Sequence, residues 1–356
     1  MTRSRSADQR TALDPRRIHE RDRKAEHIQL ALEDRMQLDS NFFEHYHFEH
    51  RALPELDFDQ IDASQSFLGT RLSAPLLISC MTGGTEEATR INRNLARAAE
   101  ETRIAVGVGS QRKALEDPSK AESFRIRPFA PRVPILANLG AVQLNYGYGI
   151  EECHAAVTMI DADALVLHVN PLQEAIQPEG QRDFSNLLPK MERVAGELEV
   201  PVIAKEVGCG ISLDVAHSLL ERGISIVDTA GLGGTNWARI EAARADDLEL
   251  GELFADWGIP TPLAIQRLRD IPGMTLIGSG GVRNGIDAAK AIACGADMVG
   301  LAYPFLRAAD VSKEMVVATV HRIVEELKIC MFCLGARNLT ELKQVRLHRS
   351  RFHHEP

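Results

Sequence analysis

The chain has 356 residues, 44% hydrophobic and 26% charged, the composition of an ordinary globular protein large enough to bury its own core. A formal net charge of −9 argues against nucleic acid as the main partner. No apolar run approaches the ~18 residues of a membrane-spanning helix, and the polar N-terminus has no apolar leader core, so neither membrane insertion nor secretion is expected.

Residues 1–22, "MTRSRSADQRTALDPRRIHERD", are polar and Arg-rich and read as a disordered tail. The helical stretch "RKAEHIQLALED" follows, then an irregular stretch up to residue 72. From there one theme repeats: a short apolar run ends in Gly or a polar residue, and a helical segment comes next. The runs are "APLLISCM" (74–81), "IAVGVGS" (104–110), "PILANLG" (134–140), "ALVLHVN" (164–170), "PVIAKEVG" (201–208), "SIVDTAG" (225–231), "TLIGSGG" (275–281) and "MVGLAYP" (298–304). Strands apolar on both faces belong in a parallel sheet. "TEEATRINRNLARAAEET", "SLDVAHSLLERG" and "NGIDAAKAIACG" carry the helical period, and the last two stop at Gly. Eight units predict an α/β fold, a closed (β/α)8 TIM barrel over residues 23–345, with a C-terminal tail at 346–356. An open doubly wound sheet would carry G-x-G-x-x-G after its first strand, where this chain has "MTGGT".

The longest gap, between the sixth and seventh strands, holds the acidic "WARIEAARADDLELGELFADWGIP", an insertion expected to serve as a lid, an interface or both. The C-x-x-C of Cys330 and Cys333 has no second pair or suitably spaced histidines. It therefore reads as packed thiols on an amphipathic helix, and the cysteine usage as that of a reducing cytoplasm.

In a barrel, alternate strand residues point inward and the chemistry sits at the C-terminal mouth. Taking Val106, Val108 and Ser110 as one inner face, Leu136 and Asn138 as the next, then Val166, His168 and Asn170, then Ile203 and Lys205, brings five polar groups to one mouth. A lone strand Asn, Ser or His is ordinarily a satisfied core residue. A buried Lys is costly unless something anionic meets it. Three glycine turns follow the last strands: "AGLGGTN" (230–236), "GSGGVRNG" (278–285) and "GLAY" (300–303). Glycines there either make tight turns or let backbone N–H groups approach an anion, and the end of strands seven and eight is where barrels hold phosphate. With Thr235 as a hydroxyl donor, these turns suit the phosphate of FMN. Lys205 then reaches the flavin ring, and Thr82, Ser110 and Asn138 its polar edge. Arg23, Lys24, His27 and Arg112 form a second basic group, and an acidic protein that keeps cations at its mouth is expected to bind an anionic substrate.

The segments "RKAEHI", "MTGGT", "GVGSQR", "LANLGA", "LHVNPLQE", "VIAKEVG", "AGLGGTNW", "GSGGVRNG" and "MFCLGARNLTEL" together resemble the type 2 isopentenyl-diphosphate isomerases, flavin-dependent (β/α)8 barrels, over nearly the whole chain. The resemblance implies interconversion of isopentenyl and dimethylallyl diphosphate with reduced FMN and Mg2+, NADPH serving only to reduce the flavin. It implies a substrate site of Arg23, Lys24, Ser110, Gln111, Arg112, His168, Asn170 and Gln173, with Gln173, Lys205 and His168 catalytic and Glu174 holding the metal. The FMN wall would be Met81, Thr82, Gly83, Ser110, Asn138, Lys205, Thr235, Gly280, Gly281, Arg283, Ala302 and Tyr303. A homo-oligomer, tetramer or octamer, is implied as well. One departure is Ala25, where the pattern after Arg23-Lys24 carries an acidic residue. The main rival is an FMN oxidoreductase. The hydroxyacid-oxidase type needs a His base and an Arg clamp after the later strands; the IMP-dehydrogenase-like type needs a Cys after strand six. A non-catalytic phosphate-binding barrel is the third reading.

Overall fold

Leu, Ile, Val, Ala and Gly dominate eight short runs that have no polar face to offer water, so each must be covered on both sides. In the computed structural model, which describes residues 23–350, they close into a parallel barrel. Its strands are β1 (Leu76–Ile78), β2 (Ala105–Gly107), β3 (Ile135–Gly140), β4 (Ala164–His168), β5 (Val202–Lys205), β6 (Ile226–Asp228), β7 (Thr275–Ser279) and β8 (Met298–Leu301). Each pairs with its neighbours in order, and β8 closes on β1. The expected tail at 1–22 lies outside the described residues.

The interior is a small apolar cluster of Leu77, Ala105, Leu136, Ala164, Val166, Ile203, Ile226, Ile277 and Met298. Phe67 and Leu72, from the hairpin Gln65–Phe67/Thr70–Leu72, join this cluster and plug its lower end. The outer faces of the strands pack under the helices in a far larger cluster, each fully buried Leu, Ile or Met adding about 1.5–3 kcal/mol. The parity expected for the second strand is reversed: Ala105 points inward, while Val106 and Val108 pack under the helices. Two valines in a row of small residues look like the natural core face, but the narrow interior accepts Ala and Gly there. A Cβ on Gly107 would lie 2.5 Å from Cys80 Sγ.

Helix ends follow their sequence signals. Thr85 caps Glu86–Thr102 by accepting from Ala88 N, and Asn284 caps Gly285–Cys294 by accepting from Asp287 N. Gly335, with φ 71°, ends the long helix Lys313–Leu334. That helix carries Cys330 and Cys333, both part-buried free thiols, and burial pushes Cys330 up to about 11. The chain continues past residue 345: Leu347–Arg349 runs antiparallel to Tyr46–Phe48. Among the described residues no helix is long and apolar enough to cross a membrane.

Two additions close over the mouth. The N-terminal helix Arg23–Leu32 lies along one side, and its following chain is fastened to the turns of the barrel. Gln37 bridges to Thr235, Asn41 Nδ2 donates to Asp287 Oδ2 at 2.7 Å and to Gly281 O at 3.0 Å, and Arg283 donates to the carbonyls of Leu38 and Asp39. The insertion after β6 forms the helices Trp237–Arg244 and Leu248–Leu253 before the helix Thr261–Leu268.

Candidate active site

At the top of the barrel the parallel register places Gly140, His168, Lys205 and Asp228 side by side on β3, β4, β5 and β6. A Cβ on Gly140 would press within 3.2 Å of His168 Nε2, so the glycine leaves room for the imidazole. His168 Nδ1 lies 2.9 Å from Asn138 Oδ1, which gives the neutral ring its hydrogen on Nδ1 and leaves Nε2 as an acceptor. Burial, with repulsion from Lys24 and Lys205, lowers the imidazole to about 3. His168 is therefore uncharged in the free protein, and it becomes a donor to a bound anion only by taking up a proton.

This shift has a measurable consequence. The unfolded imidazole takes a proton that the folded one refuses, so stability is lost as pH falls from ~6.5 towards about 3, at up to ~1.4 kcal/mol per pH unit. Urea unfolding over that window is expected to show a shallower acid slope for His168→Gln than for wild type. Identical slopes would contradict a neutral folded imidazole.

Lys205 Nζ donates to Glu206 O at 2.6 Å and stands 4.0 Å from Asp228 Oδ2. Asp228 was not foreseen. It is fully buried, accepts from Ser279 Oγ and from Ala230 N, and burial raises its carboxyl. Glu206, equally unforeseen, turns away from the cavity: one carboxylate oxygen collects the N–H groups of Val207, Gly208 and Cys209 and pins the loop that follows Lys205.

Asn170 and Gln173 start the short helix Pro171–Ile176. Asn170 Nδ2 donates to Gln173 Oε1 at 3.0 Å and to Glu174 Oε1 at 3.1 Å. Gln173 Nε2 donates at 2.7 Å to Glu241 Oε1, on the insertion. Glu241 is fully buried. Burial alone would raise its carboxyl, but His27, Gln173 and Arg244 outweigh that and hold it below the usual range. Arg244 Nη1 donates to it at 2.6 Å; His27 Nε2 lies 3.0 Å away, close in distance but off the hydrogen-bond direction. Arg244 also reaches Glu26 at 3.2 Å, so an acidic residue does serve the arm one position beyond Ala25.

His27, Gly140, His168, Asn170, Gln173, Glu174 and Lys205 line one cavity of about 460 Å3, which also takes in Arg23, Lys24, Met81, Thr82, Ser110, Arg112, Asn138, Thr235, Gly280, Gly281, Ala302 and Tyr303. Asp228, Glu241 and Arg244 support this lining from behind. Three expected residues stand differently. Gln111 is wholly buried behind the wall, its amide bracing Ala156 O and Asn138 N, so it shapes β3 rather than meeting a ligand. Gly83 is also behind the wall, where a Cβ would collide with the Phe124 ring. Arg283 reaches the cavity edge, but its guanidinium holds the carbonyls of Leu38, Asp39 and Gly233, leaving it a clamp on the N-terminal arm. Sequence patterns that mark close backbone approach do not say whether the neighbour is a ligand or the protein itself.

The residues present fit a flavin phosphate and ring. Gly280 and Gly281 have φ of 106° and 76°, and a Cβ on either would strike the Gly231–Gly233 turn at 2.1–2.2 Å. Only glycine allows the two turns to interlock. Among the described residues the main-chain N–H groups of Gly280, Gly281 and Tyr303 meet no acceptor, and the last opens the helix Tyr303–Val311. Ser79 Oγ, Thr82 Oγ1 and Asn170 Oδ1 are buried on the cavity wall without partners. Orphaned buried polar atoms are rare in finished structures and mark where a ligand completes the bonding. No three His, Cys, Asp or Glu residues gather as a metal nest among the described residues, and Glu174 lines the cavity along with Glu116 and Glu179.

Comparison with known proteins bears on the fold and the family. The family described as FMN-dependent dehydrogenase matches residues 261–349. A mandelate oxidase with 2-hydroxy-phenylacetamide superposes with a TM-score of 0.64 at 16% identity, covering 92% of this chain and 94% of the other, which establishes the shared fold. The isopentenyl-diphosphate delta-isomerase of Nostoc sp. is 50% identical over 327 residues, 90% of this chain and 93% of its own. That of Paracoccus zeaxanthinifaciens is 51% identical over 339 residues, 91% of this chain and 96% of its own. Identity at that level over nine-tenths of both chains, on a barrel with this mouth, makes the chain a member of the isopentenyl-diphosphate delta-isomerase family.

Proposed function

We propose that the protein interconverts isopentenyl diphosphate and dimethylallyl diphosphate with reduced FMN and Mg2+, NADPH serving only to reduce the flavin. One observation carries this reading: the cavity lining gathers anion-suited donors in two groups, at the ends of different strands of the ring. The open amides of Gly280, Gly281 and Tyr303 suit the phosphate of FMN. Arg23, Lys24 and Arg112, with His168 and Asn170, suit a diphosphate. The row of Lys205 and Asp228 lies between.

When bound, reduced FMN supplies the electron-rich ring and proton-carrying atom that an unactivated alkene demands. Lys205 sets a positive charge beside it. Gln173 is a neutral amide and no strong acid; held by Glu241 and Asn170, it orients the hydrocarbon end of the substrate. Glu174 offers Mg2+ one hard oxygen, the substrate phosphates and water providing the rest. The helices Arg23–Leu32 and Trp237–Arg244 shield the reacting carbons from water. A cytoplasmic setting and a homo-oligomer belong to the same reading, and the free thiols of all six cysteines suit the former.

The oxidoreductase reading is less well supported. Its hydroxyacid form wants an Arg clamp on the later turns, where Arg283 grips main-chain carbonyls instead. Its IMP-dehydrogenase-like form wants a cysteine after strand six, where the chain reads "TAGLGGTN". Purified protein is expected to take up FMN and turn yellow; protein that stays colourless with added FMN would contradict the proposal. Glu174→Gln should raise the Mg2+ needed for half-maximal turnover by at least ~10-fold, since even outer partners of a metal matter that much. FMN affinity should not change.

A further inference from the structure

Ten residues, 177–186, join the helix Pro171–Ile176 to the helix Leu187–Glu197 and cross the substrate side of the mouth. Several of their contacts are with the groups assigned above to the diphosphate and metal, and Glu179 also accepts from Arg244 at 2.8 Å. Gln181 Oε1 accepts from Gln143 Nε2 at 2.5 Å and from Arg112 Nη1 at 3.3 Å. Gln181 N donates to Glu174 Oε2 at 2.6 Å. Glu179 stands 3.7 Å from Arg23. Two donors from separate elements, one cationic, converge on a single oxygen, which is the arrangement a phosphate oxygen takes. Gln143 is buried, lines the cavity and adjoins His168 across Gly140.

We propose that Gln181 is a resident competitor for the substrate diphosphate and that Gln143 is a further substrate-binding residue. In the free protein the Gln181 amide oxygen holds the place of a diphosphate oxygen between Arg112 and Gln143, and its N–H covers the metal-facing oxygen of Glu174. Arrival of the metal diphosphate displaces Gln181 and Arg182. The far end stays fixed, because Asn145 Nδ2 donates to the carbonyls of Asp183 and Ser185 at 2.8 Å and the Tyr146 hydroxyl accepts from Asp183 N. Gly180 serves as the near hinge: a Cβ there would meet Glu174 O at 1.8 Å, so the connection packs down only with glycine.

The inference rests on the anion site of the proposed function, and calorimetry of the FMN-loaded protein with inorganic pyrophosphate and Mg2+ separates the two. Gln181→Ala removes the competitor and is expected to tighten pyrophosphate binding about 3- to 10-fold, the worth of one net hydrogen bond. Gln181→Glu strengthens the hold on Arg112 and is expected to weaken binding by more than about 10-fold. Gln143→Ala should weaken it by about 10-fold. A merely structural Gln181 would weaken binding in both of its variants, so weaker or unchanged binding in Gln181→Ala overturns the proposal. Undiminished binding in Gln143→Ala removes Gln143 from the site. Failure of the wild-type protein to bind pyrophosphate overturns the anion site itself, and this inference with it.

Discussion

Lys205→Met is expected to lose ~10²–10³-fold in kcat, the effect of removing one preorganised charge from a closed site. Met keeps the length and apolar stem of Lys, so the loss is one of charge. The same substitution leaves Asp228 buried and unpaired, and breaking a buried pair by removing one partner costs about 3–5 kcal/mol. Burial already raises the Asp228 carboxyl, and without Lys205 it rises further. A raised carboxyl is less destabilising when protonated, so the stability deficit of Lys205→Met should shrink as pH falls and grow as it rises. Lys205→Met/Asp228→Asn should recover stability in urea unfolding without recovering turnover. If the double variant is as unstable as Lys205→Met, Asp228 is not the partner of Lys205.

Glu241→Ala is expected to cost about 1.5–3 kcal/mol in urea unfolding, because it takes a buried charged acceptor from Arg244, His27 and Gln173, while Arg244 keeps Glu26 and Glu179. The carboxylate ties the N-terminal helix, the insertion and the helix Pro171–Ile176 together: His27 lies on the first, Glu241 and Arg244 on the second, Gln173 on the third. Glu241→Gln keeps one acceptor and should cost less. Both should lower kcat more than they raise KM, since Gln173 loses the bond that orients it, and small displacements from reacting geometry cost ~10²-fold. A cost below ~1 kcal/mol for Glu241→Ala would place the network among exposed ion pairs of little energetic weight.

The barrel was legible because its signal is periodic and repeated: eight apolar runs, each bounded by Gly or a polar residue. The candidate site was legible where a residue type is costly without a purpose. Lys205, His168 and the Gln173–Glu174 pair all stand on strand or helix ends that would otherwise be apolar. What the sequence concealed has physical reasons. The parity of β2 was misjudged because valine and glycine both suit a buried strand, and only the crowding of Cys80 beside Gly107 decides which side is inward. Asp228 and Glu206 look like ordinary strand-end acids until their partners, Lys205 and three successive amides, come into register. Glu241 lies in an acidic insertion where nothing local distinguishes it from Glu249 or Glu252 on the next helix. Gln111 and Gly83 sit in the right motifs but face the protein, a distinction that spacing does not carry.

The proposed reaction moves a proton on an allylic hydrocarbon without net transfer of electrons. Proton NMR of isopentenyl diphosphate in D2O, under anaerobic conditions with Mg2+ and chemically reduced FMN and no nicotinamide, tests it most directly. The expected result is dimethylallyl diphosphate with deuterium at the former alkene terminus and flavin still reduced at the end. No product from FMN-loaded protein, or flavin oxidised in proportion to product, would contradict it.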